Sequence, residues 1–413
     1  MNNEEDAVGR PLPKLWNANF LKAWTSNFML FFSFMLLTPL LPIYMSETFH
    51  ADKQMIGIVL SGYTLFALLV RPFSGFMVDS FPRKKVLLVC YALFALFFAG
   101  YLAAGTVILF AVVRTLHGAP FGATTVCNST IAIDVLASER RNEGIGYYGL
   151  SNNIATAIAP SLAIVIHQWC NSYDVLFAIA LVTACTGLAI DATIRLPKRQ
   201  SELMREQMPD ATPVKRKPRL SLDRFFLTKG WSESLSIICF AFSWGVTSTY
   251  VAIYGKEELG ITGGTGVFFL LLSCGLILSR LTGNRQLRRG RITHNAAMGT
   301  CVSLCGFLLF ATVHQPWAYY ASALIIGLGN GHMYPAFQTM FINLAENNQR
   351  GTANSTILTS WDVGVGLGIV FGGWLAEGIS YHASFLCSFI INAIGVAWFF
   401  FYVRNHFNRN KLR

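Results

Sequence analysis

Several ionisable side chains lie inside long apolar stretches of this 413-residue chain, among them Arg71, Arg114, His117, His332 and Asp362. A charge at the centre of a bilayer costs at least about 2.5–3.5 kcal/mol on insertion scales, and residues that persist there commonly belong to proton or substrate pathways. Histidine and aspartate exchange protons, while arginine pairs with a carboxylate or an anionic substrate. These residue types therefore indicate proton-linked or substrate-linked chemistry within a membrane.

The elements that must position these residues are twelve apolar stretches, each long enough to cross a bilayer as a helix. We refer to them as spans 1 to 12. They are predicted at residues 19–46, 54–78, 86–104, 107–136, 143–167, 173–194, 231–255, 263–283, 292–312, 317–344, 352–378 and 382–403. The predicted fold class is an all-α integral membrane protein.

The composition agrees with this class. The chain is 53% hydrophobic and only 13% charged, with 33 Phe and a net charge of +11. The positive-inside rule explains the excess of Lys and Arg better than nucleic-acid binding does. The nine cysteines form no CxxC pair and have no histidines at zinc spacing, so we expect no metal site, disulfide framework or cofactor. The polar, acidic N-terminal segment does not resemble a cleaved signal peptide.

Basic residues predict the orientation. They cluster in the segments that share a side with both termini, whereas the opposite loops offer only Lys53 and Lys256. Both termini are therefore expected in the cytoplasm. The basic residues on that side are Arg10, Lys14, Lys22, Arg83, Lys84, Lys85, Arg140, Arg141, Arg285, Arg288, Arg289, Arg291, Arg350, Arg404, Arg409, Lys411 and Arg413.

One long polar segment, residues 195–229, divides the spans into two sets of six. It is rich in Ser, Pro and basic residues and predicts a flexible or surface-lying cytoplasmic linker. Residues 1–194 and 230–413 are then two six-helix bundles. A shift of 209 residues places Arg71 on Arg280, Arg141 on Arg350 and Asn153 on Asp362, which indicates a weak internal repeat.

The end of span 2 carries the pattern Gly75-x-x-x-Asp79-x-x-x-Arg83-Lys-Lys. It resembles the cytoplasmic loop signature of the major facilitator superfamily, and the loop between spans 8 and 9 holds a degraded copy without the Asp. The six-plus-six division extends the resemblance over the whole chain. It implies two pseudo-symmetric six-helix bundles and alternating access by a rocker switch.

The resemblance also implies a gate of Gly75, Asp79, Arg83 and Asp134. Gly75 would allow close helix approach, and Asp79 would face the start of span 11, around residues 351–354. Arg83 would pair with Asp134 at the end of span 4. The alternative is a basic loop with an incidental Asp.

In this superfamily, spans 1, 4, 7 and 10 line a central cavity. The predicted cavity residues are Asn27, Phe31, Phe34, Arg114, His117, Trp244, Thr247, Tyr250, Asn330, His332, Tyr334 and Gln338. Because this lining is rich in aromatic side chains, it favours an amphipathic or apolar small molecule as the substrate. For Arg114 the alternative is bonding to backbone carbonyls that locks helices together. For His332 it is a neutral, hydrogen-bonded packing role.

Asp362 is the one acid placed deep in a span, and Arg71 lies at a matching estimated depth on span 2. Spans 2 and 11 pack across the halves in this superfamily, so an ion pair is geometrically reasonable. We predict Asp362, Arg71, His117 and His332 as proton-coupling residues. A switchable pair, a static pair and no contact all remain open.

The leading functional hypothesis is a secondary active transporter, not an enzyme, because nucleotide-binding and hydrolytic motifs are absent. We expect a monomer in the bacterial inner membrane that moves a small organic molecule, most simply by proton-coupled efflux. The Gly-rich motif of antiporters is reduced in span 5 to Pro160 and small residues. A symporter or uniporter for uptake of a sugar or metabolite, and a lysophospholipid transporter, remain as alternatives.

Overall fold

The computed structural model describes residues 13–38, 40–51, 53–196, 224–261 and 265–412. Arg10, Arg413 and most of the predicted linker, residues 197–223, lie outside them. Regular secondary structure in the described part is entirely helical. The first half comprises α1 (Ala18–Leu37), α2 (Leu41–Phe49), α3 (Lys53–Ser80), α4 (Arg83–Ala103), α5 (Val107–Asp134), α6 (Arg141–Cys170) and α7 (Tyr173–Ala192). The second comprises α8 (Trp231–Glu257), α9 (Thr265–Arg288), α10 (Ile292–Thr312), α11 (Pro316–Leu344), α12 (Arg350–Gly378), α13 (Tyr381–Trp398) and α14 (Arg404–Asn410).

Ten of these helices are long and apolar enough to cross a membrane. The other two long helices in the described part are α9, with 24 residues, and α11, with 29. Both are long enough to span, since about 20 helical residues cover the hydrocarbon core, but they carry more polar and glycine residues. The predicted twelve-helix, all-α membrane fold is confirmed.

Span 1 was predicted as one helix over residues 19–46, and this was wrong. α1 ends at Leu37, and α2 starts at Leu41. Pro39 and Pro42 account for the break, because proline has no N–H donor with which to continue the helical hydrogen bonds. Span 12 is longer than predicted and continues through a π-helical turn, Phe399–Val403, into α14.

The predicted flexible linker is wrong at its C-terminal end. Leu227 is fully buried, and its N–H donates to Thr356 Oγ1 at 2.8 Å. Thr352 Oγ1 donates to the Arg224 carbonyl at 3.3 Å, and the Phe225 ring packs 5.3 Å from that of Phe76. A short 3₁₀ turn, Thr228–Gly230, then leads into α8. This segment is ordered because it packs against helices of both halves.

The two halves meet mainly along two helix pairs, α3 with α12 and α6 with α9. Within each half, glycines allow backbones to approach closely. A Cβ at Gly122 would lie 2.7 Å from the Ala67 carbonyl oxygen, so α3 and α5 are in backbone contact there. We call the end that carries Arg83, Arg140, Arg288 and Arg350 the basic end.

Candidate functional site

Asp79 lies at the C-terminal end of α3 and caps the N-terminus of α12 in the other half. Its two carboxylate oxygens accept from the Gly351 N–H at 2.9 Å and the Thr352 N–H at 2.8 Å. The Thr352 hydroxyl adds a bond of 2.9 Å. These N–H groups have no partner within their own helix, and the carboxylate also complements the positive end of the helix dipole. The contact predicted for Asp79 is therefore present.

Arg83 ties this cap to a second carboxylate. Its guanidinium lies 3.2 Å from Asp79 and also pairs with Asp134 at the end of α5. The other oxygen of Asp134 accepts from Arg350 of α12 at 2.8 Å. All four side chains are largely shielded from solvent, which strengthens their interactions relative to exposed pairs. The predicted Arg83–Asp134 pair is present, and Arg350 extends it across the halves.

Gly75 lets α3 and α12 approach closely beside this network. A Cβ there would lie 2.7 Å from Ser355 Cβ and 2.9 Å from the Gly351 carbonyl oxygen. A Cβ at Gly351 would in turn lie 2.7 Å from the Gly75 carbonyl oxygen. Glycine at both positions is needed for the contact, as expected for Gly75.

Arg71 and Asp362 form an ion pair within the membrane. Arg71 Nη1 lies 2.8 Å from Asp362 Oδ2, and the same atom donates to the Leu358 carbonyl at 3.0 Å. The Ser355 hydroxyl donates to the Arg71 carbonyl at 2.5 Å. The side chains of Arg71 and Asp362 are 7% and 15% exposed. The cross-half contact predicted for this pair is present; its role in proton coupling stays a prediction.

The pseudo-symmetric pair is built differently. Arg280 of α9 donates to the Gly331 carbonyl of α11 at 3.1 Å, within its own half. It approaches α6 at Gly149, where a Cβ would lie 3.5 Å from Arg280 Nη2. The suggested Arg280–Asn153 contact is not among the hydrogen bonds of the described residues. Among the described residues Arg280 has no acidic partner, because the position equivalent to Asp362 is the amide Asn153.

Arg114 and His117 lie inside the first half. His117 is fully buried, and its Nδ1 lies 2.7 Å from the Tyr101 hydroxyl. Arg114 donates to the same hydroxyl at 3.3 Å and lies 4.1 Å from the centre of the Tyr63 ring. The ring of Phe94 packs 4.7 Å from His117. The two residues share a face as predicted, but in this conformation they face an aromatic cluster instead of lining an open cavity.

The polar residues of α11 also pack inward. His332 Nδ1 lies 2.9 Å from Asn295 Oδ1, and Asn330 accepts from Ser303 at 3.0 Å; both partners are on α10. In this conformation both side chains turn to the neighbouring helix, and their place in the cavity lining stays a prediction. Tyr334 packs edge-on against Trp361 of α12, with ring centres 5.2 Å apart.

Gln338 belongs to the closure at the basic end instead of the mid-membrane cavity. It donates to Asn354 at 3.3 Å, and Asn354 donates to Thr130 of the first half at 3.1 Å. Sequence reasoning missed Thr130 and Arg350 as cross-half residues, and it placed Asn354 only within the segment that would face Asp79. For Arg350 the repeat offered a signal, since this residue matches Arg141 at an equivalent helix start.

The remaining predicted cavity residues divide into buried and half-buried sets. Asn27 is buried and bonded to Ser151 and Tyr148, and Thr247 is fully buried. The half-buried members are all aromatic: Phe31, Phe34, Trp244, Tyr250 and Tyr334. Aromatic surface thus remains partly accessible on helices of both halves.

Every hydrogen bond and ion pair found between the halves in the described residues lies between the basic end and the Arg71–Asp362 level. The halves are therefore joined by polar contacts at one end of the bundle. A cap, a charge network and an intramembrane ion pair all connect α3 to α12. This arrangement can act as a gate, because each contact must break for the helices to separate.

Known proteins share this architecture. The chain is 24% identical to the staphylopine export protein of Staphylococcus aureus over 92% of this chain and 95% of that protein. It is 26% identical to the class G tetracycline resistance protein of Vibrio anguillarum, covering 78% and 81%. It is 25% identical to the maltose permease of Geobacillus stearothermophilus, covering 89% and 91%.

Among solved structures, the human organic anion transporter MFSD10 superposes with a TM-score of 0.78 at 14% identity, covering 94% of this chain and all of that one. The transporter FucP in its outward conformation gives 0.73 at 15% identity, covering 94% and 99%. At such identities the superpositions show the fold. The sequence model of the Major Facilitator Superfamily matches residues 23–364 and 288–413. With that match and this fold, the chain belongs to the Major Facilitator Superfamily and is a multi-pass membrane transporter of small molecules.

Proposed function

We propose that this transporter exports a small organic molecule in exchange for protons, by alternating access in a bacterial inner membrane with its basic end in the cytoplasm. The observation that carries the proposal is the Arg71–Asp362 ion pair, which joins the halves inside the membrane. A carboxylate there is both the link between the helices and a group that can accept a proton.

Protonation of Asp362 removes the negative partner of Arg71. Loss of one partner of a buried pair costs about 3–5 kcal/mol because the other charge is left uncompensated. That cost falls on the state in which α3 and α12 are in contact. Separation of these helices would then break the Asp79 cap and the Asp134 bonds to Arg83 and Arg350, opening the basic end.

Export is favoured over uptake by the relatives, which include an export protein and a drug resistance protein. The similarity to a maltose permease supports the second candidate, proton-linked or facilitated uptake of a sugar. The half-buried aromatics on α1 and α8 favour an amphipathic substrate over a strongly charged one. A lysophospholipid or similar amphiphile is a further candidate on the same grounds.

The test uses the full-length protein in proteoliposomes with an imposed pH gradient, tetracycline and maltose as probes, and an internal pH dye. Proton-coupled export predicts tetracycline movement against the proton gradient together with proton flow. Maltose entry with protons would support uptake instead. Movement of either probe that ignores the pH gradient would overturn proton coupling.

Two aspartate variants identify the proton site. Asp362→Asn should flatten the pH dependence of transport, because the amide keeps the shape but cannot bind a proton. Asp174→Asn, in the exposed first turn of α7, is the matched control and should keep the wild-type pH profile. A full pH profile in Asp362→Asn would exclude Asp362 as the proton site.

A further inference from the structure

A cleft of about 620 Å³ opens at the basic end, away from the gate. It lies between the first residues of α1, the first turn of α4 and the residues that follow α7. Three basic side chains line it, Lys22, Lys84 and Arg195, and no acidic side chain is among its described lining residues. It is therefore a concentration of positive charge in a concave surface at the level of the helix ends.

The two lysines are held in place by the backbone at the end of α7. Lys22 Nζ donates to the Thr193 carbonyl at 3.1 Å, and Lys84 Nζ donates to the Ile194 carbonyl at 2.8 Å. An ammonium group has three N–H donors, so each lysine keeps two for a ligand. The backbone N–H of Arg195 is fixed by Asn19 at 3.1 Å. The two ammonium groups are thus positioned in advance, which lowers the entropy lost on binding.

The local electrostatics favour an anion. α1 and α4 both begin at this cleft, and the N-terminus of a helix carries partial positive charge. Asp191, one residue before Ala192 of the lining, is fully buried and within electrostatic range of Lys84. One carboxylate and the negative C-terminal end of α7 are outweighed by three basic side chains and two positive helix N-termini, which leaves a positive site.

The surroundings of the cleft point to a ligand with an apolar part. Leu21 lies three residues from Ala18 on the same side of α1 and is 50% exposed, and Leu88 follows Lys84 by one helical turn on α4. Apolar surface therefore runs from the cleft along the membrane-facing helices. Basic pockets between transmembrane helices at a membrane surface suit acidic headgroups. We propose that this cleft binds the phosphate group of an anionic phospholipid.

The proposal is tested by native mass spectrometry of the delipidated full-length protein titrated with phosphatidylglycerol. Phosphatidylcholine and inorganic phosphate are titrated in parallel, and both can also be added as competitors. The site variant is Lys22→Gln/Lys84→Gln/Arg195→Gln. Lys85→Gln is the matched control, because Lys85 is exposed beside Lys84 but does not line the cleft.

We expect phosphatidylglycerol to bind more tightly than phosphatidylcholine, and equimolar inorganic phosphate not to displace it. Each Lys or Arg near an anionic lipid is worth roughly fivefold in binding, so the triple variant should lose about 100-fold in affinity. Arg195→Gln alone should lose about fivefold, and it removes no side-chain bond to another described residue, so it guards against misfolding.

Unchanged phosphatidylglycerol binding in both site variants would overturn the assignment. If Lys85→Gln lost as much affinity as Arg195→Gln, general surface charge would explain the binding, and the assignment to the cleft would also be overturned. Equal retention of the two lipids would show that the site does not select an anionic headgroup. Displacement of the lipid by equimolar inorganic phosphate would identify a soluble phosphate as the ligand and reject the lipid.

Discussion

The two helix pairs that join the halves, α3 with α12 and α6 with α9, occupy equivalent positions but use different chemistry. The first pair contains two carboxylates, Asp79 and Asp362, that cross between the halves. The second has an arginine, Arg280, that bonds to a carbonyl of its own half and faces Gly149. Among the described residues, the first pair is therefore an ionic contact, whereas the second has no ion pair between its helices.

This difference suggests a division of labour. Contacts that depend on charge respond to protonation, whereas a contact between small residues and backbone responds to steric fit alone. We therefore infer that α3 and α12 set the pH response, while α6 and α9 act as a passive surface. The following four variants test that comparison.

The largest effect is expected for Arg71→Ala. It leaves Asp362 buried without its partner, and breaking such a pair costs about 3–5 kcal/mol. Transport should fall by more than about 100-fold, measured as the initial rate in proteoliposomes. Arg71→Ala/Asp362→Ala should recover part of the rate, because no charge is then left buried without a partner. A double variant worse than the single one would show that the two residues act independently.

Gly75→Val should be the next most severe. Its Cβ would lie 2.7 Å from Ser355 Cβ, so α3 and α12 would have to separate at the basic end. Overpacking of this kind costs about 1–3 kcal/mol, equivalent to roughly a tenfold to hundredfold loss of the closed state. Cysteine accessibility at Thr352 would report the opening. Gly366→Ala, at a position of α12 with open space around it, is the control and should leave accessibility unchanged.

Asp79→Asn should shift the resting population towards a state open at the basic end. The amide keeps the size of the side chain but loses the charge that binds Arg83 and the α12 N-terminus. Hydrogen bonds to charged groups contribute about 1.5–3 kcal/mol, so we expect at least a tenfold shift with nearly normal expression. Electron–electron distances between spin labels across the basic end give the readout. Unchanged distances would reject the gating role.

Gly149→Asp should have the smallest effect and would restore an acid to the second pair. The new carboxylate would reach Arg280, since a Cβ at Gly149 lies 3.5 Å from its guanidinium. An added ion pair between α6 and α9 should slow transport a few-fold. Gly149→Asn supplies similar bulk without charge. If both variants slow transport equally, bulk is responsible and the comparison of charges does not hold.

Much of the fold could be predicted from sequence because the physical constraints are strong. Apolar length defines the spans, and the repeat with the positive-inside pattern fixes the depth of Arg71 and Asp362. The break between α1 and α2 was missed despite Pro39 and Pro42, because the apolar run continues through both. The resemblance to the superfamily implied the contacts of Asp79 and Arg83. Estimated depth, together with the superfamily's packing of spans 2 and 11, anticipated the Arg71–Asp362 pair.

Helix rotation was harder to predict. Apolar and polar residues are mixed on every side of α11. The residue pattern therefore did not show that His332 faces Asn295 of α10 or that Gln338 faces Asn354 of α12. Likewise, the sequence did not show that His117 lies among Phe94, Tyr101 and Tyr63. Such orientations depend on tertiary packing, which the spacing of residues within one helix does not encode.

The ordered end of the linker has a consequence for control of the transport cycle. Phe225 packs on α3 of the first half, while Leu227 is bonded to α12 of the second. When these helices separate, this segment must therefore lose its contact with at least one of them. Opening therefore costs contacts of this segment, and a molecule that held residues 224–227 away from either helix would lower that cost. Cutting the chain immediately before Arg224 would test whether the segment restrains opening without the rest of the linker.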